Sequence, residues 1–334
     1  MDDGNTPDLE VVIVTYRSRP HIEALRTTWG ASLQVVVVDN SGNADGVREV
    51  VDDAPGWRFL DGGGQGYARA ANLGALSSTA THVAFVNPDS RPSVADIREL
   101  SRRLAADPGA ISYSATMLDH EGGTEIGTAG WEPTTARALV YATGLHKLAH
   151  RRGIYAKPRP AERCLVDWTS GACLVVDMAK FREVGGYDEQ FYVYSEDMSL
   201  GRVARAHGYR QVLVPDLTIR HAEGNSGAPS VEMSRLRGAS FSGYMRAYHP
   251  AARARSVVAA SAAGTVLRMV HAAVLDRPRA RGYAAYLAGL LTQTATVGGK
   301  EVAQARRREV LGQRVGRAPA PLVPDAARGS VAVR

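Results

Sequence analysis

The chain has 334 residues, 45% apolar and 22% charged, which is enough for one large or two modest cores and excludes the disordered and fibrous classes. Its formal charge of +6 is concentrated between residues 147 and 157 and in the C-terminal third, above all at 306–308. These basic stretches lack interleaved aromatic residues, which argues against nucleic acid as a partner. Two cysteines, Cys164 and Cys173, are too few for a disulfide framework and lack zinc spacing, so they read as buried free thiols in a reducing compartment.

In chain order, Leu9–Thr15 is a β-branched run that predicts a parallel strand. A helix is expected over 21–29, a second strand over 33–39 ending in Asp39, a short helix over 47–53 and a third strand over 57–60. The glycine-rich turn 61–66 leads into a helix over 67–77 and a strand over 81–86 that delivers Asn87-Pro88-Asp89. An amphipathic helix follows over 93–106 and a strand over 111–116. From 118 to 163 the pattern weakens and predicts a loop-rich insertion over the site. Residues 166–177 read as a polar turn and a strand, 178–184 as a short helix stopped by Gly185-Gly186, 196–207 as a helix and 209–214 as a strand. Beyond His221 the chain is helical and rich in Arg and Ala, and from Arg317 the composition is that of a disordered tail.

Strands alternating with helices predict a mostly parallel sheet flanked by helices. Acids at the C-terminal edge of such a sheet lie where ligands bind. Asp89 there is suited to a hard cation bridging phosphates, although Asn-Pro-Asp is equally a turn sequence. Asp39 reads either as a nucleoside-binding acid or as a cap. The glycines ending at Gly66 form a phosphate-binding turn or an ordinary tight one, with Arg69 and Asn72 on one helical face nearby. Glu196 and Asp197 open a helix behind aromatic residues. They either answer the helix dipole or supply a general base whose pKa an apolar pocket raises. His221 alone reads as structural and becomes a metal ligand only if it converges on Asp89.

In this order the pieces resemble the inverting glycosyltransferases of family 2, in their rhamnosyltransferase-like branch, over residues 11 to 248. The resemblance is carried by Val11-Val-Ile-Val-Thr-Tyr16, Val37-Val-Asp-Asn-Ser41, Gly66-Tyr-Ala-Arg-Ala-Ala-Asn72-Leu-Gly74, Asn87-Pro-Asp89, Trp168-Thr-Ser-Gly-Ala172 and the helix ending Glu196-Asp-Met-Ser-Leu200. The first acid of the family's DXD motif is absent, Gly-Gly-Gln-Gly replaces the usual Asn-x-Gly, and the Gln-x-x-Arg-Trp motif of processive synthases is missing.

The resemblance implies a GT-A nucleotide-diphospho-sugar transferase fold over 1–228, a C-terminal helical appendage over 229–316 and a disordered tail over 317–334. It implies transfer of a single sugar, rhamnose or another deoxyhexose, from a dTDP- or UDP-sugar to an acceptor hydroxyl. Asp197 is then the base and Glu196 its orienting or tuning partner. Thr15, Tyr16, Asp39, Gly66, Arg69, Asn72 and Asn87 hold the donor, Trp168, Ser170 and Gly171 line the acceptor side, and Asp89 and His221 hold Mg²⁺ or Mn²⁺. The alternatives are a catalytically degenerate sugar-nucleotide-binding protein and a nucleotidyltransferase. The acceptor is a glycan, a lipid-linked sugar or a small molecule.

No basic, apolar leader is seen at the N-terminus, and no uninterrupted apolar run reaches the roughly 18 residues of a membrane span. Residues 256–275 come closest, broken by Arg268 and His271. The expected location is the cytoplasm, with the C-terminal helices resting on the membrane surface or forming a homodimer face.

Overall fold

The computed structural model describes residues 8–119, 121–147, 151–157, 164–220 and 230–292. The first half alternates strand and helix: β1 (Leu9–Thr15), α1 (Arg19–Trp29), β2 (Gln34–Asp39), α2 (Val47–Asp52), β3 (Trp57–Asp61), α3 (Tyr67–Leu76), β4 (His82–Val86) and α4 (Val94–Ala105). Next come β5 (Ala110–Leu118), β6 (Ala129–Gly130), α5 (Thr135–Ala142), β7 (Cys164–Val166), β8 (Trp168–Thr169) and β9 (Cys173–Asp177). The chain continues through α6 (Met178–Glu183), α7 (Glu196–Ala206), β10 (Arg210–Arg220), α8 (Ser230–Tyr248), α9 (Ala251–Leu275) and α10 (Arg277–Leu291).

Eight strands form one sheet in the order β3-β2-β1-β4-β9-β5-β10-β7. Only β9 and β7 run against the others. Both faces are covered, which is why the strands read as unbroken apolar runs. Along β2, Val35 and Val37 enter the core under α1, α2 and α4, while Val36 and Val38 enter the core under α3, α6 and α7. This is the period-two alternation of a strand buried on both sides. The GT-A expectation of a mostly parallel sheet flanked by helices, with further helices at the C-terminal end, is the architecture observed.

Three local expectations are corrected. The span from 118 to 163 is not only loop: α5 forms there, capped by Thr134, whose hydroxyl accepts from Arg137 N–H at 3.1 Å. Residues 166–177 carry a strand ahead of the polar turn as well as after it, β8 and β9 around the turn 170–172. The strand expected to end at Val214 runs on to Arg220, with a register shift between Val214 and Thr218. Pro215 has no N–H to give the ladder, so a bulge there lets pairing resume.

Cys164 and Cys173 are buried and unbridged. The stretch Ala251–Val274 of α9 is, by length and composition, apolar enough to cross a membrane despite Arg268 and His271, although only 28% of it is buried.

Candidate active site

The site is built at the C-terminal edge of the sheet. In register, Thr15 lies beside Asp39 and Asp39 beside Asp61, so β1, β2 and β3 end level. Between β1 and β4 the strand order reverses direction, leaving the crevice in which open α/β sheets bind ligands. β4 delivers Asn87 to this edge, where Asn87 N–H donates to the Ala172 carbonyl at 3.1 Å. Ser90 N–H donates to the Asn87 carbonyl at 3.0 Å, so Asn87-Pro88-Asp89 is a turn, and one that places a carboxylate at the crevice. Asp89 is only 4% exposed. Arg91 N–H donates to the Arg220 carbonyl at 3.1 Å, so β10 ends two residues from Asp89. His221, the next residue, lies outside the described residues.

Thr15 Oγ1, Asn40 Oδ1 and Ser90 Oγ are buried along this edge without a protein hydrogen-bond partner. Buried polar atoms normally find partners, so a row of orphans at a sheet edge marks a polar ligand's place. No trio of His, Cys, Asp or Glu suited to a metal occurs among the described residues. A divalent cation shared with a diphosphate needs only one or two protein carboxylates, and Asp89 is compatible with that minimum.

Two residues expected on the donor side also hold the scaffold. Asp39 is fully buried and its oxygens accept from Ser41 N–H at 3.0 Å, Ser41 Oγ at 2.9 and 3.0 Å, and Asn43 N–H at 2.6 Å. Three donors, Ser41 N–H, the Ser41 hydroxyl and Asn43 N–H, thus engage it in shaping the loop beside the crevice. Asn72 is also fully buried: its amide donates to the Tyr187 carbonyl at 2.8 Å and accepts from Tyr187 N–H at 2.9 Å. The expectation that Arg69 and Asn72 reach one ligand becomes a shared protein partner, Glu189. Asn72 donates to it at 3.1 Å and Arg69 lies 3.8 Å from it.

That clamp docks α3 onto the loop preceding α7. Gly66 has φ +96°, and a Cβ there would sit 2.2 Å from the Tyr192 carbonyl, which accepts from Tyr67 N–H at 2.7 Å. The Tyr67 hydroxyl packs over Gly171, 2.0 Å from where a Cβ would stand. Tyr67 therefore joins the donor helix, the acceptor-side turn and the acids of α7. Burial first, then Glu196 and Asp197, push its pKa up.

On the acceptor side, Trp168 is buried with its indole N–H 3.4 Å from the Trp131 carbonyl, and Ser170 N–H donates to Thr128. Tyr16 lies half-buried just past β1, with the Arg17 guanidinium 5.3 Å from its ring centre.

Tyr194 and Ser195 both adopt left-handed backbone, φ +67° and +71°, immediately before the acids. Two consecutive non-glycine residues in that region are strained, and such strain gathers at functional sites. Glu196 is 7% exposed with Oε2 unpartnered, and burial followed by the Asp197 charge holds its pKa well above the usual carboxylate range. Asp197 is half-buried and accepts from Met198 N–H at 2.8 Å. Burial lifts its pKa to about 6, opposed by backbone N–H groups and Arg237. Burial thus raises both acids, and each charge opposes ionisation of the other, the condition under which a carboxylate gains strength as a base.

The C-terminal helices form a wall of this site. Tyr248 lies 2.7 Å from Ser199 Oγ of α7 and donates to Asp188 at 2.6 Å, and Ser240 donates to the Val193 carbonyl at 2.8 Å. Glu132 accepts from Tyr244 at 2.6 Å, lies 2.8 Å from His249 Nε2 and pairs with Arg205. Sequence reasoning missed Asp61, Tyr67, Glu132, Glu189 and Arg237. Asp61, Tyr67 and Glu189 lie inside or next to a recognisable motif, and Glu132 and Arg237 do not.

Residues 10–155 match the model of glycosyl transferase family 2. An N-acetylglucosaminyl-diphospho-decaprenol L-rhamnosyltransferase of Mycobacterium tuberculosis is 29% identical over 66% of this chain and 78% of that protein. A low-salt glycan biosynthesis hexosyltransferase of Haloferax volcanii is 28% identical over 59% and 62%. A mannosyltransferase of Pyrobaculum calidifontis, solved with GDP-Man and Mn²⁺, overlays 93% of this chain and 89% of its own with a TM-score of 0.49 at 17% identity. By the match over residues 10–155 and by these relatives, the chain is similar to the sugar-transferring enzymes of glycosyltransferase family 2, rhamnosyltransferase-like ones among them.

Proposed function

We propose that this chain transfers one deoxyhexose, rhamnose in the first instance, from a dTDP- or UDP-linked donor to a hydroxyl of a lipid-diphosphate-linked sugar. The observation that carries the reading is the Glu196–Asp197 pair, both raised by burial, whose charges act on Tyr67 at the start of the donor helix, itself packed over Gly171 of the acceptor-side turn. The acceptor class follows the name of the Mycobacterium tuberculosis relative.

In the proposed reaction the acceptor oxygen attacks the anomeric carbon as Asp197 takes its proton. The bond from that carbon to the diphosphate breaks, and the nucleoside diphosphate departs with the electron pair. A single displacement inverts the anomeric carbon. Glu196, buried beside it, orients the acceptor or helps tune the base. Thr15, Tyr16, Gly66, Arg69 and Asn87 line the donor, while Asp39 and Asn72 shape that side. Trp168, Ser170 and Gly171 line the acceptor side. Asp89, with His221, would hold Mg²⁺ or Mn²⁺, which supplies positive charge to the leaving diphosphate when bound.

Membrane contact fits the same acceptor. Leu267, Val270 and Val274 of α9 are 63%, 61% and 84% exposed, and the next helix opens with exposed Arg277, Arg279 and Arg281. Apolar side chains beside a basic turn suit an anionic membrane surface.

The test is a transfer assay with a panel of dTDP-, UDP- and GDP-sugars and a prenyl-diphosphate-linked N-acetylglucosamine, with and without EDTA. A glycosylated lipid formed from one donor, with loss of about 10- to 100-fold in Asp89→Asn, is the expected result. Donor binding by calorimetry with no transfer to any acceptor would instead identify a degenerate sugar-nucleotide-binding protein.

A further inference from the structure

We infer that Ser240 and Tyr248 of α8 are positioning residues for the base: they hold the turn at Tyr194 and Ser195 from both sides and so aim Asp197. The inference rests on the reading of Asp197 as the base and adds what keeps that carboxylate in place.

The turn does not hold itself. Tyr194 and Ser195 are both left-handed, and Ser195, the N-cap of α7, makes no side-chain cap. Non-glycine residues keep such backbone only where their surroundings over-determine it.

Those surroundings come from α8. Before the turn, Ser240 Oγ donates to the Val193 carbonyl at 2.8 Å. After it, Tyr248 Oη lies 2.7 Å from Ser199 Oγ. Ser199 also donates its N–H to the Ser195 carbonyl at 3.0 Å, which ties this second contact to the turn itself. The Tyr248 hydroxyl gives its single proton to Asp188 at 2.6 Å, so Ser199 is the donor between the two hydroxyls. One phenol thus joins the start of the loop at Asp188 to the first turn of α7.

Ser240 and Tyr248 stand about 12 Å apart along α8. Between them Phe241, Tyr244 and Met245 share a buried cluster with Phe191 and Met198, which flank the turn. The helix is fixed in its turn by α10. A Cβ on Gly238 would overlap the Tyr286 carbonyl, and one on Gly289 the Arg235 carbonyl, so the two helices meet backbone to backbone. The base therefore sits on a strained turn braced on both flanks by a rigid helix pair. Such bracing matters to rate, because a misplacement of about 1 Å at a reacting group costs about 100-fold.

The experiment measures kcat, donor affinity by calorimetry and the pH profile of kcat/KM in Tyr248→Phe, Ser240→Ala and Ser240→Thr. Tyr248→Phe keeps the ring and removes the oxygen that joins Ser199 to Asp188. Its kcat is expected to fall about 10- to 100-fold, with donor affinity within about twofold of wild type. Loosening the turn admits water to Asp197, so the acid limb of the profile, at about pH 6 in wild type, should move to lower pH. Ser240→Ala should show the same pattern more weakly, and Ser240→Thr, which keeps the hydroxyl, should recover most of it. A merely structural hydroxyl would lower the unfolding midpoint and leave the acid limb in place. A loss under about threefold in both hydroxyl deletions, or an unmoved acid limb, overturns the inference. Should Tyr248→Phe not fold, Ser240→Ala against Ser240→Thr decides by the same two criteria. Failure of the base reading looks different: Asp197→Asn transfers at the wild-type rate. The carboxyl titration of Asp197, followed by carbon NMR in wild type and Tyr248→Phe, then decides whether α8 holds the residue, and equal titrations overturn that too.

Discussion

Asp197→Asn is expected to separate catalysis from stability. Asp197 has its pKa lifted from an ordinary 3.8 to about 6, mainly by burial. A carboxylate whose folded pKa is raised holds its proton more tightly in the fold than in the unfolded chain. Its contribution is therefore favourable below the unfolded pKa and is lost as pH rises through about 6. At 1.36 kcal/mol per unit the shift corresponds to at most about 3 kcal/mol of stability forgone at pH 8, and partial solvent access lowers this to about 1–3 kcal/mol. Asparagine is neutral at every pH and its carbonyl can still accept from Met198 N–H, so the substitution should return that energy while removing the base. Urea unfolding of both proteins at pH 8 and pH 4, beside single-turnover transfer rates, makes the measurement. The variant should be more stable at pH 8, no more stable at pH 4, and slower by about 10²- to 10⁴-fold. Wild-type kcat/KM should fall about tenfold per pH unit below about 6. A variant less stable than wild type at pH 8, an equal gain at both pH values, or a rate within tenfold of wild type would refute the reasoning.

Two further outcomes follow from the packing. Gly171→Ala places a methyl 2.0 Å from the Tyr67 hydroxyl and should cost about 1–3 kcal/mol, and Tyr67→Phe in the same chain should recover part of it in denaturant titrations. Glu132→Gln leaves Arg205 only its longer contact to Asp167 at 3.5 Å and should cost about 1–3 kcal/mol, detected by a lower unfolding midpoint. Because the folded pKa of Glu132 is lowered, its contribution is present above the unfolded value and lost as pH falls through the folded one. The variant and wild type should therefore converge in acid.

Much of the catalytic domain was legible in the chain. β1, β2 and β4 are buried on both faces and so appear as continuous β-branched or apolar runs, which local pattern detects. The acids at 196 and 197 were visible because two carboxylates open a helix behind aromatic residues. The insertion at 118–163 was not legible. α5 is short and earns its place by packing against α9, a partner with no local trace in the sequence.

The order of strands and helices, the apolar alternation and the acids at strand ends were determined by the sequence itself, because each is a consequence of neighbouring residues and backbone period. Which polar groups remain free for a ligand was decided only by the tertiary structure. Asp39 accepts from a turn two to four residues away, and Asn72 meets the backbone of Tyr187, 115 residues along the chain. Glu132 meets His249 across 117 residues, and Arg237 arrives at Asp197 from a helix beyond the region that carries the strand pattern. A side chain's hydrogen-bonding capacity is finite, so its availability depends on every neighbour that folding brings to it, and that is information no local spacing contains.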